Sequence, residues 1–342
     1  MGGCWVLLLV ALGWVVGAID ASDGDADPMY MACVNQCEMT GSLKDSTIEQ
    51  CPFSLDDLPI KHPWHKQEPL YLQWKQWNCK TECRYRCMVQ REEEREGLGL
   101  GPVKYHRRWP FKRVFVFQEP VSAALSALNL LVQFNGWLSF FFLLYYKLPL
   151  RPQSHRTYYE FTCLWHIHGL LSMNAWFWSA IHHCQNCNLT EKLDYSSAVT
   201  FIGFSLVLAI LRIFKVTNEA SRVMVVAPLL TFLTTHILYL NFHEFDYGLN
   251  MKVCVAMIIA QVLLWTAWAV ITSHPSGMKL WTVAIGVTLV VLLEIYDFPP
   301  FKGYVDAHAL CHALSIPLSY LWWSFIKEDA EFHTLDIMKK VH

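Results

Sequence analysis

The sequence predicts an all-α membrane protein: a seven-transmembrane helix bundle behind an N-terminal disulfide-rich lumenal segment. Hydrophobic residues make up 54% of the chain and charged residues only 16%, and several apolar stretches are long enough to cross a bilayer. A polar segment before these stretches contains a cluster of cysteines. Lys and Arg collect in alternate loops between the stretches, as in multi-pass membrane proteins.

The N-terminus carries a short apolar run, from Trp5 to Val16, followed by small residues. That length is typical of a signal peptide and is too short for a membrane span. No Lys or Arg precedes the run, so an uncleaved anchor is the alternative. We predict a signal peptide over residues 1–21.

The next predicted domain, residues 22–113, is a polar lumenal segment with an even number of cysteines. Behind a signal peptide this indicates a disulfide framework in an oxidising compartment. Their Cys-x3-Cys spacings place cysteines on single helix faces, so two short helices stapled together fit the pattern. The pairing stays open, and a metal cluster is the competing interpretation. The cysteines are Cys33, Cys37, Cys51, Cys79, Cys83 and Cys87.

Seven apolar segments form the predicted bundle domain, residues 114–326. If the cysteine-rich segment is lumenal, the cytosolic loops and the tail hold most of the Lys and Arg, as the positive-inside rule requires. Seven spans then leave the tail, residues 327–342, in the cytosol. The segments are 120–146, 160–183, 194–214, 222–242, 249–272, 279–297 and 305–326.

Two short tags agree with this orientation. Asn188-Leu-Thr is an N-glycosylation sequon in a predicted lumenal loop. Lys339 and Lys340 form a dilysine pattern in the predicted cytosolic tail, where coat proteins read such a pattern as an ER-retrieval signal. The net charge of −2 gives no indication of a nucleic-acid partner.

A group of polar residues gathers at the lumenal edge of the bundle. Ser179 and His183 share a helix face at the end of the second segment, and Asp194 begins the third. His308 and His312 share a face at the start of the seventh. Three histidines that converge on one edge are typical of a catalytic zinc site, in which the metal activates a water as nucleophile.

Alternatives at this edge remain open. One histidine neighbour lies about 100° around the helix from His183 and is its rival as a ligand. The nearby cysteines are further possible ligands, although a loop disulfide or free thiols fit them better. For the nearby acidic residues, solvation at helix ends is preferred over a supporting role. These candidates are His182, Cys184, Cys187, Cys311, Glu244, Asp246, Glu294 and Asp297.

Several longer motifs carry a family resemblance. They are Asn-Ala-Trp-Phe-Trp-Ser, Leu-Thr-Glu-Lys-Leu-Asp-Tyr, Phe-Asp-Tyr-Gly, Asp-Phe-Pro-Pro and Asp-Ala-His-x3-His, with Trp-Pro-Phe and Phe-Gln-Glu-Pro before the first span. They resemble the post-GPI attachment to proteins factor 3 family over nearly the whole mature chain. That family belongs to a superfamily of seven-span metal hydrolases with the alkaline ceramidases and adiponectin receptors.

The resemblance implies a site and an activity. The superfamily pattern is a Ser-x3-His, an Asp eleven residues later and a His-x3-His in the last span. Ser179, His183, Asp194, His308 and His312 fill it, and it selects His183 over His182. The implied activity is fatty-acid remodelling of GPI anchors, by removal of the sn-2 acyl chain from the phosphatidylinositol part of GPI-anchored proteins. The implied location is the Golgi membrane, whereas the dilysine tail favours the endoplasmic reticulum.

These observations predict a zinc-dependent, phospholipase A2-like acyl-ester hydrolase. The three histidines would hold the metal, Ser179 would donate to the oxyanion, and Asp194 would orient a group or accept a proton. A Ser/His/Asp acyl-enzyme explains the histidine pair poorly. The alternatives are a ceramidase-like amide hydrolase and a non-enzymatic seven-span receptor.

Overall fold

The structure is a computed structural model that describes residues 23–43, 46–48, 51, 79–152, 155–243, 246–272 and 274–341. These residues form nine α-helices and one small hairpin, which confirms the all-α prediction. The predicted signal peptide lies outside the described residues. The described chain divides into two compact units: a cysteine-rich unit of residues 23–118 and 298–304, and a bundle unit of residues 119–297 and 305–341.

The cysteine-rich unit is built on two helices joined by disulfides. The Asp27 carboxylate caps the first helix by accepting from the Met29 N–H at 2.9 Å. All six predicted cysteines are paired, so the stapled-helix prediction is confirmed. The pairs are Cys33–Cys87, Cys37–Cys83 and Cys51–Cys79. The elements are α1 (Pro28–Thr40), β1 (Ser42–Leu43), β2 (Ser46–Thr47) and α2 (Cys79–Gly97).

Removal of one inter-helix disulfide is expected to destabilise this unit. Cys37 and Cys83 are fully buried, and their disulfide links residues 46 positions apart. Replacing both by alanine should lower the free energy of unfolding by about 2–5 kcal/mol. Limited proteolysis with mapping of the cut sites measures this. Cys163→Ala, at an exposed free cysteine, is the matched control and should leave the digestion pattern unchanged.

The bundle unit contains seven helices. Six of them form a closed ring in which neighbours pack in the order α3, α4, α5, α7, α8, α9 and back to α3, while α6 packs against α5. Short π-helical turns, Leu143–Lys147 and Tyr239–His243, extend α3 and α6. The helices are α3 (Pro120–Phe142), α4 (Thr162–Cys184), α5 (Asn188–Ile213), α6 (Glu219–Leu238), α7 (Tyr247–Thr272), α8 (Gly277–Tyr296) and α9 (Ala307–Val341).

Two glycines allow helices of the ring to approach closely. A Cβ added at Gly136 of α3 would lie 2.3 Å from the Trp323 ring of α9, and one at Gly169 of α4 would lie 2.4 Å from the Trp137 ring of α3. Small residues at such crossings are typical of membrane helix packing. The close approach packs α3 against both α4 and α9.

Six helices of this unit are long and apolar enough to cross a membrane, so the chain is a multi-pass membrane protein. The predicted segment 160–183 is also a helix, α4, but it is not among the six. Its four histidines, three tryptophans and Asn174 lower its mean hydropathy. Trp165, His168, His182 and His183 are buried, whereas Asn174 is exposed.

Two boundaries differ from the predicted ones. Helix α5 begins at Asn188 rather than at residue 194, because Cys187 and Thr190 form a capping box that starts the helix in the polar loop. Helix α9 continues past residue 326 to Val341. Its extension is tied to the bundle by Asp329, which is buried against Arg212 of α5. The described part of the predicted tail is therefore helical.

Candidate metal centre

Three histidines meet at one end of the bundle unit. Their ligand atoms all lie within 4.8 Å of one another. The ring centroid of His183 lies 5.3 Å from that of His308 and 5.1 Å from that of His312, and the latter two rings are 4.4 Å apart. His183 comes from the last turn of α4. His308 and His312 come from the first turns of α9, where a four-residue separation puts them on one face.

Carboxylates from two other segments orient two of these rings. His183 donates its Nδ1–H to Glu119 Oε2 at 2.6 Å, and the Glu119 N–H donates back to the His183 carbonyl at 3.1 Å. His308 donates its Nδ1–H to Glu294 Oε2 at 2.9 Å. A carboxylate on Nδ1 is the usual outer partner of a metal-binding histidine, because it fixes the tautomer and leaves Nε2 as the ligand atom.

A hydroxyl orients the third ring. Ser126 Oγ lies 2.9 Å from His312 Nδ1 and donates its own proton to the Ser122 carbonyl at 2.8 Å. The Ser126 oxygen therefore accepts the His312 Nδ1–H. Ser179 Oγ lies 3.1 Å from Ser126 Oγ, so the serine of the predicted site is linked to His312 through Ser126.

The residues present fit a zinc ion. His183 Nε2 is buried and has no hydrogen-bond partner within the described part of the chain, which is costly for a polar atom unless a ligand completes it. Three imidazole nitrogens are a donor set that suits Zn²⁺. The His308 side chain is about 40% exposed, so a substrate group can reach this ring, whereas His183 and His312 are buried.

Sequence reasoning missed Glu119 and Ser126. A signal was present on α3, where Ser122, Ser126, Asn129 and Gln133 recur at four- and three-residue intervals in an apolar helix. All four are buried, so α3 turns one polar stripe toward the interior. Asn129 belongs to this stripe, and its side-chain amide donates to the His312 carbonyl at 2.8 Å.

The interpretation of Glu294 as a solvated helix-end residue was wrong. Its carboxylate contacts His308 because α8 and α9 pack side by side. Asp306, in the Asp-Ala-His motif, has a local role: its carboxylate accepts from the Ala309 N–H at 2.8 Å and caps α9. That cap fixes the helix start from which His308 and His312 project.

Asp194 is not one of the three residues whose potential ligand atoms form the histidine group. It lies in the second turn of α5, half-buried, and its carbonyl accepts from the Ser197 hydroxyl at 2.8 Å. Ser179 is buried one turn before His183 on α4. The predicted roles of Ser179 and Asp194 stay predictions.

The rival ligands lie elsewhere. His182 points to another side of α4, where its Nδ1 is 3.4 Å from Thr190 Oγ1. Cys184 and Cys187 are free thiols, and Cys311 is a buried free thiol whose Sγ lies 3.3 Å from the Val290 carbonyl. None of the four belongs to the histidine group that the described residues form.

The two tags are at exposed helix ends. Asn188 is the first residue of α5, and Lys339 and Lys340 lie in the last turn of α9, where Lys340 pairs with Asp336 at 2.7 Å. Glycosylation and coat-protein recognition stay predictions.

A cavity of about 290 Å³ lies inside the helix ring. Its walls are mostly aliphatic and aromatic side chains of α3, α4, α5, α7, α8 and α9. Trp176 lines it and also meets the His312 ring edge-on, with ring centroids 5.2 Å apart. One wall residue of the cavity, Trp176, therefore contacts the histidine group.

Fold and site together define a multi-pass, all-helical membrane protein with a three-histidine centre that can hold a metal ion. The sequence profile of the Per1-like family matches residues 69–330, so the chain belongs to the Per1-like family.

The chain is 34% identical to the GPI-specific phospholipase A2-like PGAP3 of Xenopus laevis over 321 residues, 93% of each chain. It is 33% identical to the protein of that name from Homo sapiens over 324 residues, 94% of this chain and 93% of the relative. It is 31% identical to the PER1 homolog of Schizosaccharomyces pombe over 329 residues, 92% of this chain and 89% of the relative. The family resemblance of the motifs is confirmed.

Proposed function

We propose that this chain is a zinc-dependent acyl-ester hydrolase that removes the sn-2 acyl chain from the phosphatidylinositol part of GPI-anchored proteins. The observation that carries the proposal is the group of His183, His308 and His312, with two of the rings held by buried or half-buried carboxylates. The relatives named GPI-specific phospholipase A2-like support the lipid class and the reaction.

His183, His308 and His312 would hold the metal through Nε2. When bound, Zn²⁺ supplies Lewis-acid activation of water at near-neutral pH. Glu119 and Glu294 keep the Nδ1 protons of His183 and His308 in place, so both rings stay in the tautomer that offers Nε2.

The remaining residues act on the ester. Ser179 donates a hydrogen bond to the carbonyl oxygen as negative charge develops on it. Asp194 accepts a proton or orients a group at the same edge. The apolar cavity beside Trp176 suits an acyl chain, while the partly exposed His308 leaves the polar part of the substrate outside. No covalent acyl-serine forms on this route.

The topology that we propose has seven spans. Helix α4 has 23 residues, about 35 Å at 1.5 Å per residue, which exceeds the hydrocarbon thickness of roughly 30 Å. It also packs between α3 and α5 inside the ring. Residues 1–21 are a signal peptide, 22–113 a lumenal segment, 114–326 the catalytic bundle and 327–342 a cytosolic end with a dilysine signal. The protein then resides in the Golgi or endoplasmic reticulum membrane, with the histidine group facing the lumen.

A change at Glu119 tests the role of the carboxylates. Glu119→Gln keeps the size of the side chain but weakens the hold on the His183 Nδ1–H, so we expect a 10- to 100-fold loss of zinc affinity. Competition between the purified protein and a chromophoric chelator measures it. Glu93→Gln, at an exposed glutamate of α2, should bind zinc as the wild type does. Equal affinity in both variants would remove Glu119 from the site.

The ceramidase-like alternative uses the same metal on an amide. Purified protein is therefore given, in separate reactions, a GPI-anchored protein and a ceramide, and the released fatty acid is quantified. Our proposal expects release from the GPI lipid and none from ceramide. Release from ceramide and none from the GPI lipid would show that the chain is an amide hydrolase.

A non-enzymatic receptor is the second alternative. It expects neither metal nor release, so metal analysis of the same preparation separates it from both hydrolases. A trapped acyl adduct on Ser179 would instead support a Ser/His/Asp acyl-enzyme and contradict the zinc mechanism.

A further inference from the structure

A turn in the cysteine-rich unit exposes apolar side chains at an unfavourable backbone geometry. Val114 and Phe117 exchange two backbone hydrogen bonds of 3.0 Å and enclose a two-residue tip. The side chain of Phe115 at that tip is 93% exposed, and its φ is +53°. A bulky residue in this left-handed region is rare and costs of order 1 kcal/mol or more.

Within the described part of the chain, no packing compensates for the exposed Phe115 ring or for its unfavourable φ. Val116 and Phe117 are also exposed, at 44% and 38%. A second turn of the same unit offers a comparison: Tyr105 and Arg108 enclose His106 and Arg107, both also at positive φ but polar. One turn thus presents polar residues, as expected for a water-exposed tip, and the other presents apolar ones.

The two turns differ in their distance along the chain from a membrane span. Phe117 stands three residues before Pro120, the first residue of a candidate span, so the connection reaches at most about 10 Å. The polar turn stands 12 residues or more before Pro120. Chain connectivity alone therefore keeps the apolar turn close to the membrane edge.

A second segment of the same unit has the same character. Residues 298–304 connect the candidate spans that end at Tyr296 and begin at Ala307. Within it Phe301 is 69% exposed, and the Lys302 ammonium lies 5.4 Å from the centre of its ring. The Lys112 N–H donates to the Gly303 carbonyl at 2.9 Å, which joins this segment to the stretch that leads into the apolar turn.

The charge of both segments identifies the partner. Residues 104–118 and 298–304 contain no Asp or Glu. The cations within three residues of Phe115 or Phe301 are Lys112, Arg113 and Lys302, and of these Arg113 is already paired with Glu82 at 2.8 Å. Aromatic side chains flanked by cations fit the boundary between acyl chains and phosphate headgroups. If water surrounded the turn, the backbone strain and the exposure of Phe115 would both cost free energy, and no contact would compensate for them.

We propose that the Val114–Phe117 turn and Phe301 form an interfacial anchor that inserts into the phosphate headgroup layer of the protein's own bilayer. Phe115 and Phe301 enter the boundary of the acyl chains, and Lys112 and Lys302 contact lipid phosphates. The anchor ties the cysteine-rich unit to the membrane surface independently of the spans. It requires no hydrolytic activity.

Photo-crosslinking tests the anchor. p-Benzoylphenylalanine is introduced in place of Phe115, of Phe301 or of Leu98, and each full-length protein is placed in nanodiscs of phosphatidylcholine and phosphatidylserine. Leu98 is a matched control because it is 71% exposed but lies 22 residues before the first span. We expect phospholipid adducts at positions 115 and 301 and none at 98. Absence of an adduct at 115, or equal adducts at 98, would overturn the proposal.

A polar variant distinguishes a loss of membrane insertion from a failure to fold. Phe115→Asn suits the left-handed turn better than phenylalanine does, so the variant should fold as well as the wild type. Labelling of the 114–118 peptide by a diazirine phospholipid should fall about fivefold. Unchanged labelling would contradict insertion. In native membranes, adducts at 115 with protein rather than lipid would assign the surface to a protein partner and overturn the proposal as well.

Discussion

Replacing His312 by alanine is expected to abolish both metal binding and acyl-ester hydrolysis. The ring lies within reach of His183 and His308, and its removal leaves two of three ligands. The loss in kcat should be at least about 10³-fold, more than the roughly 10- to 100-fold expected for an outer partner such as Glu119. Released fatty acid and zinc per protein are measured on one purified preparation.

Two other histidines make this result specific. His243→Ala changes an exposed residue at the end of α6 and should keep both zinc and activity. His182→Ala removes the neighbour of His183 and should keep the metal. Loss of zinc in His182→Ala together with its retention in His183→Ala would contradict the choice of ligand.

Replacing Asp329 by alanine is expected to produce the largest loss of stability in the bundle unit. Both carboxylate oxygens are engaged: Oδ1 accepts from Arg212 Nη2 at 2.6 Å, and Oδ2 accepts from Arg212 Nε at 3.1 Å and from the Tyr159 hydroxyl at 2.5 Å. Asp329 and Arg212 are buried. The variant leaves the guanidinium buried without its partner, which costs about 3–5 kcal/mol. The midpoint of thermal unfolding in detergent measures this loss.

Matched variants identify the cause. Glu331→Ala, two residues away at an exposed position of α9, should leave the unfolding midpoint unchanged. The double variant Arg212→Met with Asp329→Leu removes both charges and should recover most of the loss, because an apolar pair replaces a buried ion pair at little cost. A double variant as unstable as Asp329→Ala would show that the unpaired charge is not the reason.

The histidines of the site could be predicted from the sequence because each relation is local. Ser179 and His183, and likewise His308 and His312, are four residues apart in helices, so periodicity alone puts each pair on one face. The convergence of the two pairs followed from alternate directions of successive apolar segments. The structure brings His183 together with His308 and His312 in the same way.

The partners of these histidines could not be predicted because they depend on helix rotation and packing. Glu119 lies 64 residues from His183 and Ser126 lies 186 residues from His312, and no local pattern joins them. Asp329 illustrates the same limit. Asp329 lies in a polar stretch of sequence that suggests a solvated tail. In the structure it is buried against Arg212, 117 residues away, and α9 continues through it.

The disulfide pairing was open for a similar reason. Cys33 and Cys37 are four residues apart on α1, and Cys83 and Cys87 are four residues apart on α2. Only the antiparallel packing of the two helices decides which sulfurs meet. The hydropathy of α4 is the converse case. Its buried polar residues lower the membrane signal of a helix that lies within the ring.

We propose that the three-histidine group hydrolyses the sn-2 ester of GPI lipids. The most direct measurement is the sn-2 acyl content of a GPI-anchored reporter from cells that lack this protein. Wild type and His312→Ala are each reintroduced and expressed at equal levels in the same membrane. We predict that wild type restores the sn-2 deacylated reporter and that the variant leaves the acyl chain in place. Restoration by His312→Ala would contradict the account.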